Sequence, residues 1–170
     1  MDNTDIHAKL QILGDIVPPA SIMFLVGGSA MALLGSSRPT IDIDFVGDDV
    51  APSELHKTIM QLARERNILV EPVPLERFVP LPEGSDQRSI RIGQFGNLEV
   101  FVADPYSISL SKLDRGYDTD LEDIVFLVQN DFIDLNKFEQ MVYSLLSRAG
   151  KFDFNTQILN HLQELKNRLA

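Results

Sequence analysis

The sequence predicts an α+β fold, in which a small mixed sheet with flanking helices is followed by an all-helical segment. Over roughly the first hundred residues, short apolar runs of strand length alternate with amphipathic helical patterns. From Asp104 onward, only helical periodicity remains. We therefore expect an α/β core over residues 1–103 and a helical C-terminal subdomain over residues 104–170, packed on that core.

The individual elements follow from these patterns and from the turn residues between them. The predicted strands are apolar runs over residues 22–26, 41–46, 68–73, 89–92 and 98–102. The predicted helices cover residues 4–16, 30–34, 52–67, 105–114, 119–129, 135–148 and 155–169. Pro72 and Pro74 place the third strand at or near a sheet edge, because proline has no N–H to donate to a neighbouring strand.

Composition excludes several classes of protein. Cysteine is absent, which excludes disulfide scaffolds, thiolate metal sites and cysteine nucleophiles. His7, His56 and His161 are scattered along the chain, so neither a zinc site nor a histidine triad emerges. The polar start is atypical of a secretory signal and the apolar runs are too short to cross a bilayer, so we expect a cytoplasmic protein without a membrane partner.

The formal charge of −10 indicates what the surface attracts. Such a chain repels free nucleic acid at long range, because phosphate binding normally needs a basic surface. Surface acidity serves solubility in many proteins, and here it also suits bound magnesium or a cationic substrate.

Asp42 and Asp44 are the first candidate site residues. They are separated by one residue on a predicted strand, so both side chains leave the same face, while Ile41, Ile43 and Phe45 point into a core. Two adjacent carboxylates resist joint ionisation unless a cation lies between them, and Mg²⁺ prefers oxygen ligands together with substrate phosphate. The alternative is a solvent-facing strand or the capping of a neighbouring helix.

A glycine turn precedes this acidic pair. Gly27 and Gly28 allow the backbone to turn tightly and to approach a ligand closely. Ser29 follows at the start of a predicted helix, where N–H groups favour phosphate. The alternative is that Ser29 is only the N-cap of that helix.

Two segments carry a resemblance to a known family. The string VGGSAMALLGSSRPTIDIDF, residues 26–45, resembles the signature of the polymerase-β-like nucleotidyltransferase superfamily. Its form looks like the minimal bacterial branch that includes Abi-type nucleotidyltransferases of toxin–antitoxin systems. The segment SKLDRGYDTDLEDIVFLV, residues 111–128, is similar to the lysine, arginine and Asp-x-x-Asp region of that branch.

The resemblance implies roles for residues around the acidic pair. Asp42 and Asp44 would bind Mg²⁺, and the glycine turn with Ser29 would hold the β- and γ-phosphates of a nucleoside triphosphate. Glu99 is the candidate third carboxylate, both as a metal ligand and as the base that deprotonates the attacking hydroxyl. The alternative for Glu99 is an exposed glutamate on an edge strand.

Other residues of these segments have two interpretations each. Arg38 and Thr40 would brace the acidic pair or contact a phosphate. Lys112 and Arg115 would clamp the triphosphate, or they would form salt bridges that join two helices. Helix stabilisation and pairing with Arg115 are the favoured roles for a nearby acidic pair, Asp120 and Asp123. The aromatic candidates for stacking on a base, with core packing as the alternative, are Phe95, Phe101, Tyr106 and Tyr117.

These observations together predict a magnesium-dependent nucleotidyltransferase. It would move a nucleoside monophosphate from a triphosphate such as ATP to an acceptor hydroxyl on an RNA end or a protein. The resemblance adds a toxin-like role in a toxin–antitoxin system, with an antitoxin partner or a homodimer. The alternatives are an aminoglycoside-type nucleotidyltransferase and a non-catalytic protein that binds a nucleotide or a partner.

Overall fold

The computed structural model describes residues 1–148, 150 and 153–170, and it confirms the predicted fold class. A five-stranded mixed sheet has the strands β1 (Ser21–Leu25), β2 (Ile43–Val46), β3 (Val70–Val73), β4 (Ile90–Phe95) and β5 (Leu98–Val102). The helices are α1 (Asn3–Gly14), α2 (Gly27–Leu33), α3 (Glu54–Glu65), α4 (Leu75–Phe78), α5 (Pro105–Arg115), α6 (Asp118–Gln129), α7 (Leu135–Leu146) and α8 (Ile158–Leu169).

The strand order is β3-β2-β1-β5-β4. β1 pairs antiparallel with β2 and parallel with β5, while β3 runs parallel to β2 and β4 runs antiparallel to β5. The connection from β2 to β3 passes through α3, as parallel neighbouring strands require. β3 therefore lies at one edge, which confirms the position predicted from its prolines.

The chain divides into two compact units. The first comprises Met1–Pro74 and Ser89–Ala103, and it contains the whole sheet with α1, α2 and α3. The second comprises Leu75–Arg88 and Asp104–Ala170, and it contains the remaining helices. In this second unit, α5 and α6 pack on each other and both contact α8.

The two faces of the sheet differ in burial. Ser21, Met23 and Leu25 of β1 are buried, whereas Ile22 and Phe24 are 43% and 39% exposed. The same alternation continues in β5, where Leu98, Val100 and Val102 are buried. Because paired residues share a face, the exposed side of the sheet includes a set of residues that we call the open face. Its members on β1, β2, β3 and β5 are Ile22, Phe24, Asp44, Glu71, Glu99 and Phe101.

One local prediction is wrong, and one alternative interpretation is excluded. Ile43 and Phe45 are fully buried as predicted, but Ile41 is 75% exposed, because β2 begins at Ile43 and the preceding residues form a bend. Ser29 is not an N-cap, because Val26 occupies that position and α2 begins at Gly27. No helix of the described residues has the length and apolar character needed to cross a membrane.

Candidate metal centre

Three carboxylates converge at the start of β2. Asp42, Asp44 and Glu71 each offer one oxygen, and these oxygens all lie within 4.8 Å of one another. Asp42 precedes β2, Asp44 lies within it, and Glu71 is the direct partner of Asp44 in the parallel β2–β3 ladder. Asp42 and Asp44 are half-buried and Glu71 is exposed, so the group is open to solvent on the side of Glu71.

The donor set of this group fits a hard divalent cation. All three donors are carboxylate oxygens, which suit Mg²⁺ or Mn²⁺ better than soft metals. Three carboxylates this close repel one another in water, and a bound cation relieves that repulsion. The residues present are therefore compatible with a magnesium site that retains open positions for a substrate.

The glycine turn lies directly against the acids. Gly27 has φ of +60°, and a Cβ atom there would lie 1.9 Å from Asp44 Oδ2. The Val26 N–H donates to the Asp44 carbonyl at 3.0 Å, which fixes β2 beside the end of β1. A side chain at position 27 would thus displace the Asp44 carboxylate, so glycine is needed for the arrangement of the acids.

Gly28 and Thr40 support the other acid. A Cβ atom at Gly28 would lie 2.7 Å from Thr40 Oγ1, so the absence of a side chain leaves space for the threonine. The Thr40 hydroxyl is 3.3 Å from Asp42 Oδ1 and also 3.3 Å from the Asp42 carbonyl. This hydroxyl therefore holds Asp42 in place, and Thr40 is only 8% exposed.

Ser29 and Arg38 lie in the same region. Ser29 is fully buried, and its hydroxyl donates to the Val26 carbonyl at 3.1 Å, so the side chain stabilises the turn. Arg38 lies in the loop between α2 and β2. The predicted phosphate contacts of Gly28, Ser29 and Arg38 stay predictions.

The structure brings Asp42 and Asp44 together with Glu71, not with Glu99. Glu99 lies on β5 and accepts a 2.8 Å hydrogen bond from Arg91 Nε. Its partner on β1 is Ile22, four residues before Val26, which corresponds to about 13 Å along the strand from the position of Asp44. The role of Glu99 as third carboxylate stays a prediction without support from this geometry.

Lys112 and Arg115 lie in the second unit and form an ion-pair network there. Lys112 Nζ is 2.7 Å from Asp123 Oδ2 and 3.6 Å from Asp120 Oδ1, and all three side chains are buried. Arg115 donates two hydrogen bonds to Asp120, at 2.6 and 3.2 Å. These contacts join α5 to α6, and the clamping of a triphosphate stays a prediction.

The sequence analysis missed Glu71. The residue lies within the predicted strand 68–73, in a hydrophobic–acid–hydrophobic pattern. A strand–helix–strand order predicts parallel neighbours, so the sequence could have indicated that this acid lies near Asp44. The register that makes the two residues direct partners leaves no local signal.

Carboxylates that hold a divalent cation in enzymes often bind it together with substrate phosphates, and the three acids beside the glycine turn have suitable donors for such a cation. Comparison with known families agrees, because the family described as nucleotidyltransferase of unknown function (DUF6036) matches residues 4–168. The chain belongs to this family, which confirms the predicted nucleotidyltransferase resemblance; the Abi-type branch stays a prediction. No curated protein and no solved structure matches the chain.

Proposed function

We propose that the protein is a divalent-cation-dependent enzyme that transfers a nucleoside monophosphate from a nucleoside triphosphate to an acceptor hydroxyl. The observation that carries this proposal is the group of Asp42, Asp44 and Glu71, whose oxygens lie within 4.8 Å of one another. Membership of a nucleotidyltransferase family supports the same reaction class.

Different residues of the chain would bind the cation and accept the proton in this reaction. A bound Mg²⁺ supplies positive charge that neutralises and orients the triphosphate oxygens. Asp42, Asp44 and Glu71 would hold that cation, with Gly27 leaving room for the Asp44 carboxylate and the Thr40 hydroxyl orienting Asp42. Glu71 is the exposed acid, so it is the member that can accept the proton of the incoming hydroxyl. The acceptor oxygen then bonds to the α-phosphorus and pyrophosphate leaves.

The net charge of the chain favours some acceptors over others. At a formal charge of −10, the chain attracts a polycationic small molecule and repels a polynucleotide. An aminoglycoside-type acceptor is therefore the second candidate beside an RNA end or a protein hydroxyl. The toxin-like role and an antitoxin partner depend on the sequence resemblance alone.

The test is transfer of a radioactive label. The protein is incubated with Mg²⁺ and each nucleoside triphosphate labelled at the α- or the γ-phosphate, with total RNA, cell protein or an aminoglycoside as acceptor. Label from the α-position alone should reach one acceptor, because nucleotidyl transfer releases the γ-phosphate in pyrophosphate. Transfer of the γ-label instead would identify a kinase and contradict the proposal.

Variants that each neutralise one carboxylate test which acids are needed for transfer. Asp42→Asn, Asp44→Asn and Glu71→Gln should each abolish transfer. Glu99→Gln should retain transfer, because Glu99 pairs with Arg91 away from the group, and Glu122→Gln on α6 is a charge-matched control. If Glu99→Gln loses transfer while Glu71→Gln retains it, the third carboxylate is Glu99, as the sequence predicted. Equal activity of Asp42→Asn and wild type would exclude catalysis at this site.

A further inference from the structure

Two phenylalanine rings stack on the open face. The ring centroids of Phe24 and Phe101 are 5.2 Å apart and the ring planes differ by 23°. The two residues are direct partners in the β1–β5 ladder, and Phe24 is 39% exposed between the buried Met23 and Leu25. Phe101 is half-buried. The opposite face of the sheet supplies the buried core, and neither ring is part of it.

This aromatic pair lies near the carboxylates. Phe24 is two residues before Val26, whose N–H donates to the Asp44 carbonyl. Strand geometry puts the Phe24 Cα about 7 Å along and about 5 Å across from that of Asp44, so the two are about 9 Å apart on one face. A nucleotide whose phosphates lie at the carboxylates can therefore bring its base over the rings.

We propose that Phe24 and Phe101 form a stacking platform for the base of the nucleoside triphosphate. This inference rests on the proposed function, and it adds where the base binds. Every nucleobase presents a π-face, so stacking on aromatic side chains contributes to binding with little dependence on base identity. We expect purines to bind somewhat more tightly than pyrimidines, because their stacking area is larger.

The surroundings of the platform favour a single nucleotide over larger occupants. The cross-strand partner of Phe101 on β4 is Arg91, whose guanidinium pairs with Glu99. A polynucleotide would need a row of cations for its phosphates, and the formal charge of −10 opposes it. The apolar members of the open face as defined above are Ile22, Phe24 and Phe101, and three partly exposed side chains do not supply the roughly 800 Å² per partner of a stable protein interface.

The experiment compares a ligand that has a base with one that lacks it. Calorimetry in Mg²⁺ measures the binding of ATP and of inorganic tripolyphosphate to wild type, Phe24→Ala, Phe101→Ala and Phe24→Tyr. Each alanine variant should bind ATP at least about fivefold more weakly, the low end for loss of one base–aromatic stack, with tripolyphosphate affinity unchanged. Phe24→Tyr retains an aromatic ring and should keep ATP affinity. Tyr143→Ala, an exposed aromatic residue on α7, is the control.

Other results would contradict the stacking proposal, and each would point to a different explanation. An unchanged ratio of ATP to tripolyphosphate affinity in Phe24→Ala shows that the rings do not contact the base. Weaker binding of a single-stranded oligonucleotide with unchanged ATP binding assigns the rings to an acceptor, and a change in sedimentation assigns them to a contact between copies. If wild type binds neither ATP nor tripolyphosphate, the proposed function itself fails.

Discussion

At the scale of single residues, the position of Asp44 depends on the absence of a side chain at Gly27. The φ of +60° at Gly27 favours glycine, and a Cβ atom there would overlap the Asp44 carboxylate. Gly35 provides a comparison, because its φ is +102° but a Cβ atom there would meet nothing within 4 Å. The two glycines therefore separate backbone strain from displacement of the carboxylate.

We expect Gly27→Ala to lose nucleotidyl transfer by about 10²-fold, the cost of moving a catalytic group by about 1 Å. Gly35→Ala should keep activity and lose only about 1–2 kcal/mol of unfolding free energy through its left-handed backbone. The measurements are label transfer and urea unfolding. Equal activity of the two variants would show that Gly27 does not position Asp44.

His56 gives a residue-scale prediction about pH. Its ring packs edge-on against Phe45 with centroids 4.9 Å apart, and partial burial lowers the pKa of His56. The unfolded chain, with a histidine pKa of about 6.5, therefore binds a proton more readily than the folded chain. The unfolding free energy should fall as the pH drops below about 7, and this contribution should be complete below the lowered pKa.

His56→Gln should flatten that part of the pH dependence. Urea unfolding between pH 7.5 and pH 5 measures the slope for both proteins, and the difference between the two slopes is the contribution of His56. An identical slope in the variant would show that burial of His56 does not penalise its charged form.

At the scale of elements, β3 shows what local sequence predicts and what it does not. The carbonyls of Leu69 and Val73 accept hydrogen bonds from the N–H groups at the start of β2 and directly after its end. Alternation therefore turns the nitrogen of Pro72 toward the open edge. The prolines thus predicted an edge strand correctly. The pairing of Glu71 with Asp44 is a non-local register across α3, and the strand pattern alone carries no information on it.

The link between α5 and α6 is the second feature at this scale. Lys112, Asp120 and Asp123 have side chains only 3–5% exposed, whereas the side chain of Arg115 is 52% exposed. A salt-bridge link between two helices was one of the two interpretations of these charges that sequence spacing left open, and spacing could not indicate that three of them are buried. Buried pairs are costly to break, because removal of one partner leaves a desolvated charge.

We expect Lys112→Met to lower the unfolding free energy by about 3–5 kcal/mol, because Asp123 loses the ammonium at 2.7 Å. Arg115→Met should cost about 1 kcal/mol or less, as expected for an exposed partner. Lys112→Met combined with Asp123→Leu should recover most of the loss. Urea unfolding measures all three. If Lys112→Met keeps its stability but loses triphosphate binding, the clamp prediction replaces the structural role.

At the scale of the whole molecule, the fold class was predictable because each half of the chain repeats one local pattern. Alternating strands and helices before Asp104 and continuous helical periodicity after it are visible without any contact information. The strand order β3-β2-β1-β5-β4 was not, because it depends on pairings between distant segments. The acidic pair and the glycine turn were predictable because each is a local pattern, whereas the register that pairs the third acid with Asp44 was not.

The net negative charge of the whole molecule affects how Mg²⁺ binding can be measured. A chain with 25 acidic and 15 basic residues gains stability from added cations generally, so a rise in melting temperature with Mg²⁺ alone is not specific. Binding at one site adds a saturable contribution, about 1.4 kcal/mol at a concentration of tenfold Kd. For a chain of this size, that corresponds to roughly 3–6 °C.

We therefore expect Mg²⁺ to raise the melting temperature of wild type by this amount beyond NaCl of equal ionic strength. Asp44→Asn and Glu71→Gln should lose the additional rise, whereas Glu122→Gln, which removes the same charge from α6, should keep it. Melting curves at increasing Mg²⁺ show whether the effect saturates. An equal additional rise in wild type and Asp44→Asn would mean that Mg²⁺ acts on the acidic surface as a whole, and that the three carboxylates do not form a cation site.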